Sequence, residues 1–288
     1  MSMTTLGGVI AAVPTPIDAN GQPDTAAFVA HGSWALANGC DGLNVLGTTG
    51  EATSFSPSQR EAVMTAAAGA LDGAKLMVGT GTTDIATTIH LTRLAHKLGF
   101  AGALVLPPFY YKGVSDDGLA NWFDALVAGT NDAPISLFLY NFPQMTGLTF
   151  SPELVARMKA AHPDRLVGAK DSSGDLTYAA ELAKIADFDV FPSNEAALAQ
   201  ASRDGYAGCI SATTNLTGSM AQELWNNQDD AELAKSVLDA RLAISAQPLI
   251  PAIKYLVGQT HGQSGFERVL PPMLPLTDMQ KAALQNIA

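Results

Sequence analysis

The sequence predicts an α/β fold, a (β/α)8 TIM barrel followed by a C-terminal helical extension. Three observations predict it. Eight short apolar runs recur along the chain, each closed by Gly, Pro, Thr or Asn. Longer, alanine-rich segments with helical spacing separate them. After about Asn215 the strand-like runs stop, and helical segments follow one another directly.

The apolar runs are Gly8–Val13, Gly42–Leu46, Lys75–Gly79, Gly102–Leu106, Ile135–Tyr140, Leu166–Lys170, Asp189–Phe191 and Ala207–Ser211. They are continuous rather than alternating, as expected of strands buried on both faces of a parallel sheet. The segments 58–71, 83–98, 115–128, 151–161, 176–185 and 195–203 carry helical spacing. Ser56-Pro57 and Ser151-Pro152 supply a capping hydroxyl and a proline in the first turn, with Glu153 close behind. Eight strand–helix units favour a closed barrel over an open doubly wound sheet, which ordinarily has fewer strands and a switch point. Beyond Asn215, residues 219–225, 229–246 and 250–257 read as successive helices. The expected organisation is a catalytic barrel over residues 1–218 and a helical extension over 219–288, with no low-complexity linker between them.

The composition fits this picture. A chain of 288 residues with 47% hydrophobic and 15% charged residues can bury a large single core. Its formal net charge of −11 argues against nucleic acid or an anionic membrane as partner, but leaves room for a small anionic substrate in a locally positive site. The first residues, MSMTTLGGVIAAVPTP, do not have the form of a signal peptide, and no apolar run is long enough to span a bilayer. A cytoplasmic location is expected. Cys40 and Cys209 sit in apolar runs and read as small buried hydrophobes in a reducing compartment. His31, His90, His96, His162 and His261 are scattered, with no partner at metal-ligand spacing, and are expected to be non-catalytic.

In such a barrel the loops after the strands build the active site. The second strand ends in Gly47-Thr48-Thr49-Gly50-Glu51, the fourth in Pro107-Pro108-Phe109-Tyr110-Tyr111, the fifth in Tyr140-Asn141-Phe142-Pro143 and the sixth in Lys170-Asp171-Ser172-Ser173. Lys170 has two readings. It points into the barrel mouth, loses hydration and so favours the uncharged amine that attacks a ketone; or it simply reaches solvent at a strand end. Tyr140 either presents its hydroxyl to the same mouth, where a phenol can move protons, or is a packed core tyrosine. Gly47-Thr48-Thr49-Gly50 offers hydroxyls and backbone amides to a carboxylate. It lacks the spacing of a phosphate loop, and Gly79-Thr80-Gly81 is too short for a dinucleotide fingerprint.

Taken in order, these motifs resemble the dihydrodipicolinate synthase / N-acetylneuraminate lyase family of class I pyruvate aldolases. The resemblance runs from about residue 7 to the end of the chain. It is carried by Thr15-Pro16-Ile17-Asp18 with Gly21, Gly47-Thr48-Thr49-Gly50-Glu51, Pro108-Phe109-Tyr110-Tyr111, Tyr140-Asn141-Phe142-Pro143 with Thr146-Gly147, Gly168-Ala169-Lys170-Asp171-Ser172, and Gly208-Cys209-Ile210-Ser211 with Asn215. Each motif alone is weak; the ordered set is specific. The resemblance implies that Lys170 forms an imine with pyruvate and that Tyr140 shuttles protons. It implies that Thr48 relays them between Tyr140 and Tyr110, and that Thr49 with Gly47 and Gly50 holds the pyruvate carboxylate. Ile210 and Ser211 are expected in the substrate site. Tyr110 is expected to serve a neighbouring subunit of a homotetramer, a dimer of dimers. No metal or dissociable cofactor is implied.

One departure bears on the second substrate. The dihydrodipicolinate synthases of this family carry an arginine within the tyrosine motif, which binds the carboxylate of aspartate semialdehyde. Met145 stands there instead, and a thioether cannot donate to a carboxylate; Lys112 is the nearby cation that can replace it. Sialic acid lyases use neutral or acidic groups to bind hydroxyls. Ser193-Asn194-Glu195 offers such groups, although a glutamate at a helix start is also favoured by the macrodipole. The combination points to a 4-hydroxy-2-oxo acid such as a 2-keto-3-deoxy sugar acid. The alternatives are 4-hydroxy-tetrahydrodipicolinate synthesis, N-acetylneuraminate cleavage, dehydration of a sugar acid, and a non-catalytic barrel that only binds a keto acid.

Overall fold

The computed structural model describes residues 6–285, so Met1–Thr5 of the amino-terminal stretch read above, and the ends of the two expected domains, lie outside the described residues. The strands are β1 (Gly8–Ala12), β2 (Gly42–Val45), β3 (Leu76–Gly79), β4 (Gly102–Val105), β5 (Ser136–Asn141), β6 (Leu166–Asp171), β7 (Asp189–Pro192) and β8 (Gly208–Ser211). All neighbours are parallel, in the order β7-β6-β5-β4-β3-β2-β1-β8. The ring closes where the Ala207 amide, just before β8, donates to the Val190 carbonyl of β7 at 3.0 Å. This is the (β/α)8 barrel the apolar runs predict, with each strand end displaced by no more than one residue.

The helices are α1 (Thr25–Ala37), α2 (Pro57–Ala70), α3 (Ile85–Lys97), α4 (Asp116–Gly129), α5 (Pro143–Thr146), α6 (Pro152–Ala161), α7 (Leu176–Leu182), α8 (Ala201–Asp204), α9 (Thr214–Asn226), α10 (Ala231–Ser245), α11 (Leu249–His261) and α12 (Asp278–Leu284). The expected caps form: Ser56 and Ser151 accept from the third amides of α2 and α6. The segment 195–203 is not one helix. It is a 3-10 turn over Glu195–Gln200 followed by the short α8. Helix α9 begins at Thr214, earlier than its apolar spacing suggests, because Thr214 and Asn215 bond back to the Ser211 and Ala212 carbonyls at 2.8 and 2.7 Å. It packs against β1 and runs straight through the expected boundary at residue 218. Helix α1 is apolar on most of its faces, which hides its helical period.

Two cores explain why the strand runs are continuous. Ile10, Ala12, Met77, Leu104, Phe138, Phe191 and Ile210 fill the barrel interior, while Val9, Ala11, Leu43 and Val45 face outward under the helices. Each strand therefore buries both faces. Glycine at position 168 is part of this fit: a Cβ there would stand 2.3 Å from the Asp189 carbonyl and 2.8 Å from the Phe138 ring.

Helix α11 returns across α1. There His31 is buried, with Nδ1 at 2.9 Å from His261 Nε2 and Nε2 at 2.8 Å from Asn215 Oδ1. The Asn215 amide nitrogen already donates to the Ala12 and Ala212 carbonyls, so its oxygen must accept from His31 Nε2–H. His31 Nδ1 then accepts from His261, and the ring is held neutral. Burial, the largest cause, pushes its pKa down to about 4, and the neighbouring His261 acts in the same direction. A depressed folded-state value means that this contribution is complete above pH 6.5 and is lost as pH falls toward 4. It amounts to roughly 3 kcal/mol. Denaturant unfolding at pH 7 and pH 4.5 is expected to show this loss, with a clearly shallower acid limb in His31→Gln; equal slopes in the two proteins would exclude His31 as its source.

Candidate active site

The loop after β2 is bracketed by two residues in the left-handed region, Leu46 at φ 53° and Glu51 at φ 56°. A bulky side chain rarely adopts this conformation without compensation. At the first end, a Cβ on Gly79 would lie 2.1 Å from the Leu46 carbonyl, so only glycine lets β3 pass beneath it. At the second, the fully buried Glu51 carboxylate pairs through Oε1 with the equally buried Lys254 ammonium of α11. Its Oε2 accepts from the Leu270 amide at 2.7 Å. Thr15 donates to the Gly50 carbonyl at 2.9 Å. The loop that presents Thr48 and Thr49 is thereby tied to the first loop and to the C-terminal segment.

Strands β5 and β6 deliver the next two groups. Their register sets Tyr140 beside Lys170 and Asn141 beside Asp171. Lys170 lies two residues past Gly168 and so shares its inward face. Its Nζ is 3.3 Å from the Tyr140 hydroxyl and 4.6 Å from the centre of that ring. The Tyr140 hydroxyl is in turn 3.0 Å from Thr48 Oγ1. Lys170, Tyr140 and Thr48 thus form one connected chain of polar groups, with Lys170 only 4% exposed. Beneath it, Asn141 Nδ2 donates to Asp171 at 2.7 Å, and the Ser173 hydroxyl donates to the same carboxylate at 2.8 Å. Burial raises the Asp171 pKa, and these donors oppose the shift. Asp171 faces this brace rather than the open mouth.

The chain opens into a cavity of about 850 Å3, far more than a three-carbon acid needs. Thr48, Thr49, Tyr140, Lys170, Met145, Ser193 and Ile210 all line it, as do Ser172, Ser173 and Asn194. Other expected residues do not. Gly47 lines a small adjoining void, and Gly50 is occupied in supporting the turn. Tyr110 is 74% exposed and packs edge-on against Tyr111, away from the cavity of its own chain. Lys112, the cation expected to stand in for the missing arginine, does not line the cavity, and its ammonium donates to the Phe109 and Thr146 carbonyls.

Glu195 and Ser211 require a correction. Neither lines the cavity. Glu195 is fully buried, accepts from the hydroxyls of Ser211, Thr213 and Thr217, and pairs with Arg241 of α10 at 2.9 Å. With its oxygens so occupied, it is not available to a polyol. Arg241 does line the cavity, as do Leu249, Ile250, Pro272, Met273, Leu274 and Pro275 from the C-terminal segment, and the sequence reading passed over all of these. The run Leu270-Pro271-Pro272-Met273-Leu274-Pro275 is the one signal that could have marked a rigid apolar covering.

A barrel with a buried lysine and tyrosine linked to a half-buried threonine at its C-terminal mouth fits the aldolase class of TIM-barrel enzymes. The dihydrodipicolinate synthetase family model matches residues 5–288, and the chain belongs to that family. It is 31% identical over 299 aligned positions to a 4-hydroxy-tetrahydrodipicolinate synthase of Thermosynechococcus vestitus, covering 99% of this chain and 96% of that protein. Its fold matches the crystal structure of dihydrodipicolinate synthase from Agrobacterium tumefaciens with a TM-score of 0.90 at 30% identity, over 98% of this chain and 99% of the other. It also matches a prophage protein of the dihydrodipicolinic acid synthase family from E. coli K12, solved in complex with pyruvate. There the TM-score is 0.87 at 25% identity, over 99% of each chain. The chain is accordingly a carbon–carbon lyase of the class I aldolase type.

Among the described residues, no group of three or more His, Cys, Asp and Glu side chains is placed to hold a metal ion. None of the histidines lines the cavity. Cys40 and Cys209 are buried free thiols, and burial pushes the Cys40 thiol up to about 12. No helix among the described residues is long and apolar enough to cross a membrane.

The tie between Glu51 and Lys254 is open to a direct test. Lys254→Met leaves a buried carboxylate without its counter-charge and should lower the unfolding free energy by roughly 3–5 kcal/mol. Glu51→Leu combined with Lys254→Met should regain most of that in a urea titration. A double variant no more stable than the single one would show that the charge pairing is not what the site depends on.

Proposed function

We propose that this enzyme cleaves or forms a 4-hydroxy-2-oxo acid through a covalent imine between Lys170 and pyruvate. The observation that carries this reading is the chain Lys170–Tyr140–Thr48 at 3.3 and 3.0 Å. The Lys170 amine adds to the pyruvate carbonyl, and loss of water from the adduct gives the imine. Tyr140, in contact with both the amine and Thr48, moves the protons that addition and dehydration require. The protonated imine draws electrons from the methyl carbon, giving an enamine that attacks an aldehyde. Cleavage is the reverse. Thr49 and the amides of its turn hold the carboxylate. The protonated imine formed on Lys170 serves as the electron sink, so the chemistry asks for no dissociable cofactor. Tyr110, exposed and paired with Tyr111, is proposed to complete the Thr48 relay of a neighbouring subunit in a dimer of dimers.

For the second substrate, Ser172, Ser173, Ser193 and Asn194 line the cavity and suit a hydroxylated chain, which favours a 2-keto-3-deoxy sugar acid. A second reading, 4-hydroxy-tetrahydrodipicolinate synthesis, draws on relatives of that name at 29–31% identity. Met145 at the arginine position weighs against it. Pyruvate with borohydride is expected to leave a reduced adduct on Lys170, located by mass spectrometry and lost in Lys170→Ala; an unmodified Lys170 would overturn the imine. Pyruvate release from 2-keto-3-deoxy sugar acids, with no consumption of aspartate semialdehyde, is expected. The opposite pattern would establish the second reading. An adduct with no turnover of any oxo acid would leave a keto-acid-binding barrel.

A further inference from the structure

Among the described residues, Lys170 and Arg241 are the cations on the cavity wall, and no Asp or Glu lies on it. In the imine reading Lys170 is consumed by the bond to pyruvate, and the pyruvate carboxylate belongs to Thr49 and its turn. Arg241 then has no partner in the pyruvate half of the site. Its placement is well defined. Nη1 donates to Glu195 at 2.9 Å, to Ser211 at 3.0 Å and to Thr213 at 2.9 Å, and the side chain is 18% exposed. The Glu195 carboxylate behind it is saturated by three hydroxyls and this guanidinium. All the hydrogen bonds of the Arg241 side chain run from that one nitrogen. Nε and Nη2 make none to the described residues, and Arg241 is one of the residues on the cavity wall. A guanidinium on the cavity wall, held through one nitrogen and with its other N–H groups not engaged by the described residues, suits a planar anion bound through two parallel N–H groups.

We propose that Arg241 is a specificity-determining residue that binds a second carboxylate, at the far end of the substrate, so that the favoured 2-oxo acid is a diacid. The proposal rests on the imine reading above. On cleavage, the C3–C4 bond breaks, the C4 hydroxyl gives up its proton and C4 leaves as an aldehyde that carries the second acid group. The electron pair stays on C3 as the enamine, which is protonated to the pyruvate imine and hydrolysed. Ser172, Ser173, Ser193 and Asn194 lie on the same wall for hydroxyls between the two ends.

The test compares kcat/KM for pyruvate release from two matched pairs. One pair is a 2-keto-3-deoxy hexonic acid and its counterpart with a carboxylate at C6, of the same configuration. The other is 4-hydroxy-2-oxohexanoate and 4-hydroxy-2-oxoadipate. In at least one pair the diacid should be preferred by roughly tenfold or more, as expected for a charged hydrogen-bonded contact. In Arg241→Met the diacid-to-monoacid ratio should fall by a similar factor. Arg241→Met combined with Glu195→Gln serves where the single change leaves Glu195 unpaired and the protein unfolded. Borohydride trapping of pyruvate on Lys170 is measured in every variant. No diacid preference in the unaltered enzyme, or an unchanged ratio in a variant that still traps pyruvate, overturns the role of Arg241 and leaves the imine standing. Failure of the unaltered enzyme to trap pyruvate overturns both.

Discussion

Much of this molecule hangs on the buried contact between Glu51 and Lys254. Two charges lie in the interior with no solvent contact, and each has surrendered several kcal/mol of hydration. Burial lowers the Lys254 pKa, and the facing carboxylate opposes the shift. An apolar pair would hold α11 to the barrel as firmly. What the ion pair adds is register: the Glu51 carboxylate is satisfied only when Lys254 stands on one side and the Leu270 amide on the other. That placement holds a left-handed residue at the end of the Thr48-Thr49 turn. It also starts the chain across the barrel mouth at Leu270, so that the next few residues become the cavity's roof.

The barrel was legible because it is a consequence of strand geometry. A strand buried on two faces must read as an unbroken apolar run, and a polar residue that ends such a run must stand at the mouth. That rule puts Lys170 and Tyr140 at strand ends, but does not choose between a group facing the mouth and a solvated lysine or packed tyrosine. Their adjacency does not follow from it either, since β6 carries one extra residue, Val167, between the Leu137–Leu166 and Phe138–Gly168 pairs before Tyr140 comes level with Lys170. Helix boundaries were less legible where side chains bond back to the chain, as Thr214 and Asn215 do. Helix α1 was hidden by being apolar nearly all round.

The far half of the site was not legible, for a different reason. Glu195 invited two local readings, a ligand for hydroxyls or a charge at a helix start. Its actual role is as counter-ion to Arg241, 46 residues away in sequence. No local pattern marks such a pair; it exists only because α10 comes back over the end of β8. The same holds for Lys112, whose ammonium donates to the Phe109 carbonyl of its own loop and to the Thr146 carbonyl of the turn after β5. Residues 272–275 line the cavity just beyond Leu270, whose amide donates to Glu51.

This contrast separates what the fold keeps constant from what it can vary. Lys170 and Tyr140 sit on strand ends, where backbone pairing leaves little freedom. The far wall is built from loops and returning helices, whose side chains can change without disturbing the barrel. The position of the cation is the clearest instance. In the strand order, β5 flanks β6 on one side, while β7 and then β8 follow on the other. Met145, just after β5, and Arg241, packed over the end of β8, therefore stand on opposite sides of Lys170. A substrate whose second carboxylate is anchored at Arg241 would lie across the β7–β8 side of the imine rather than the β5 side.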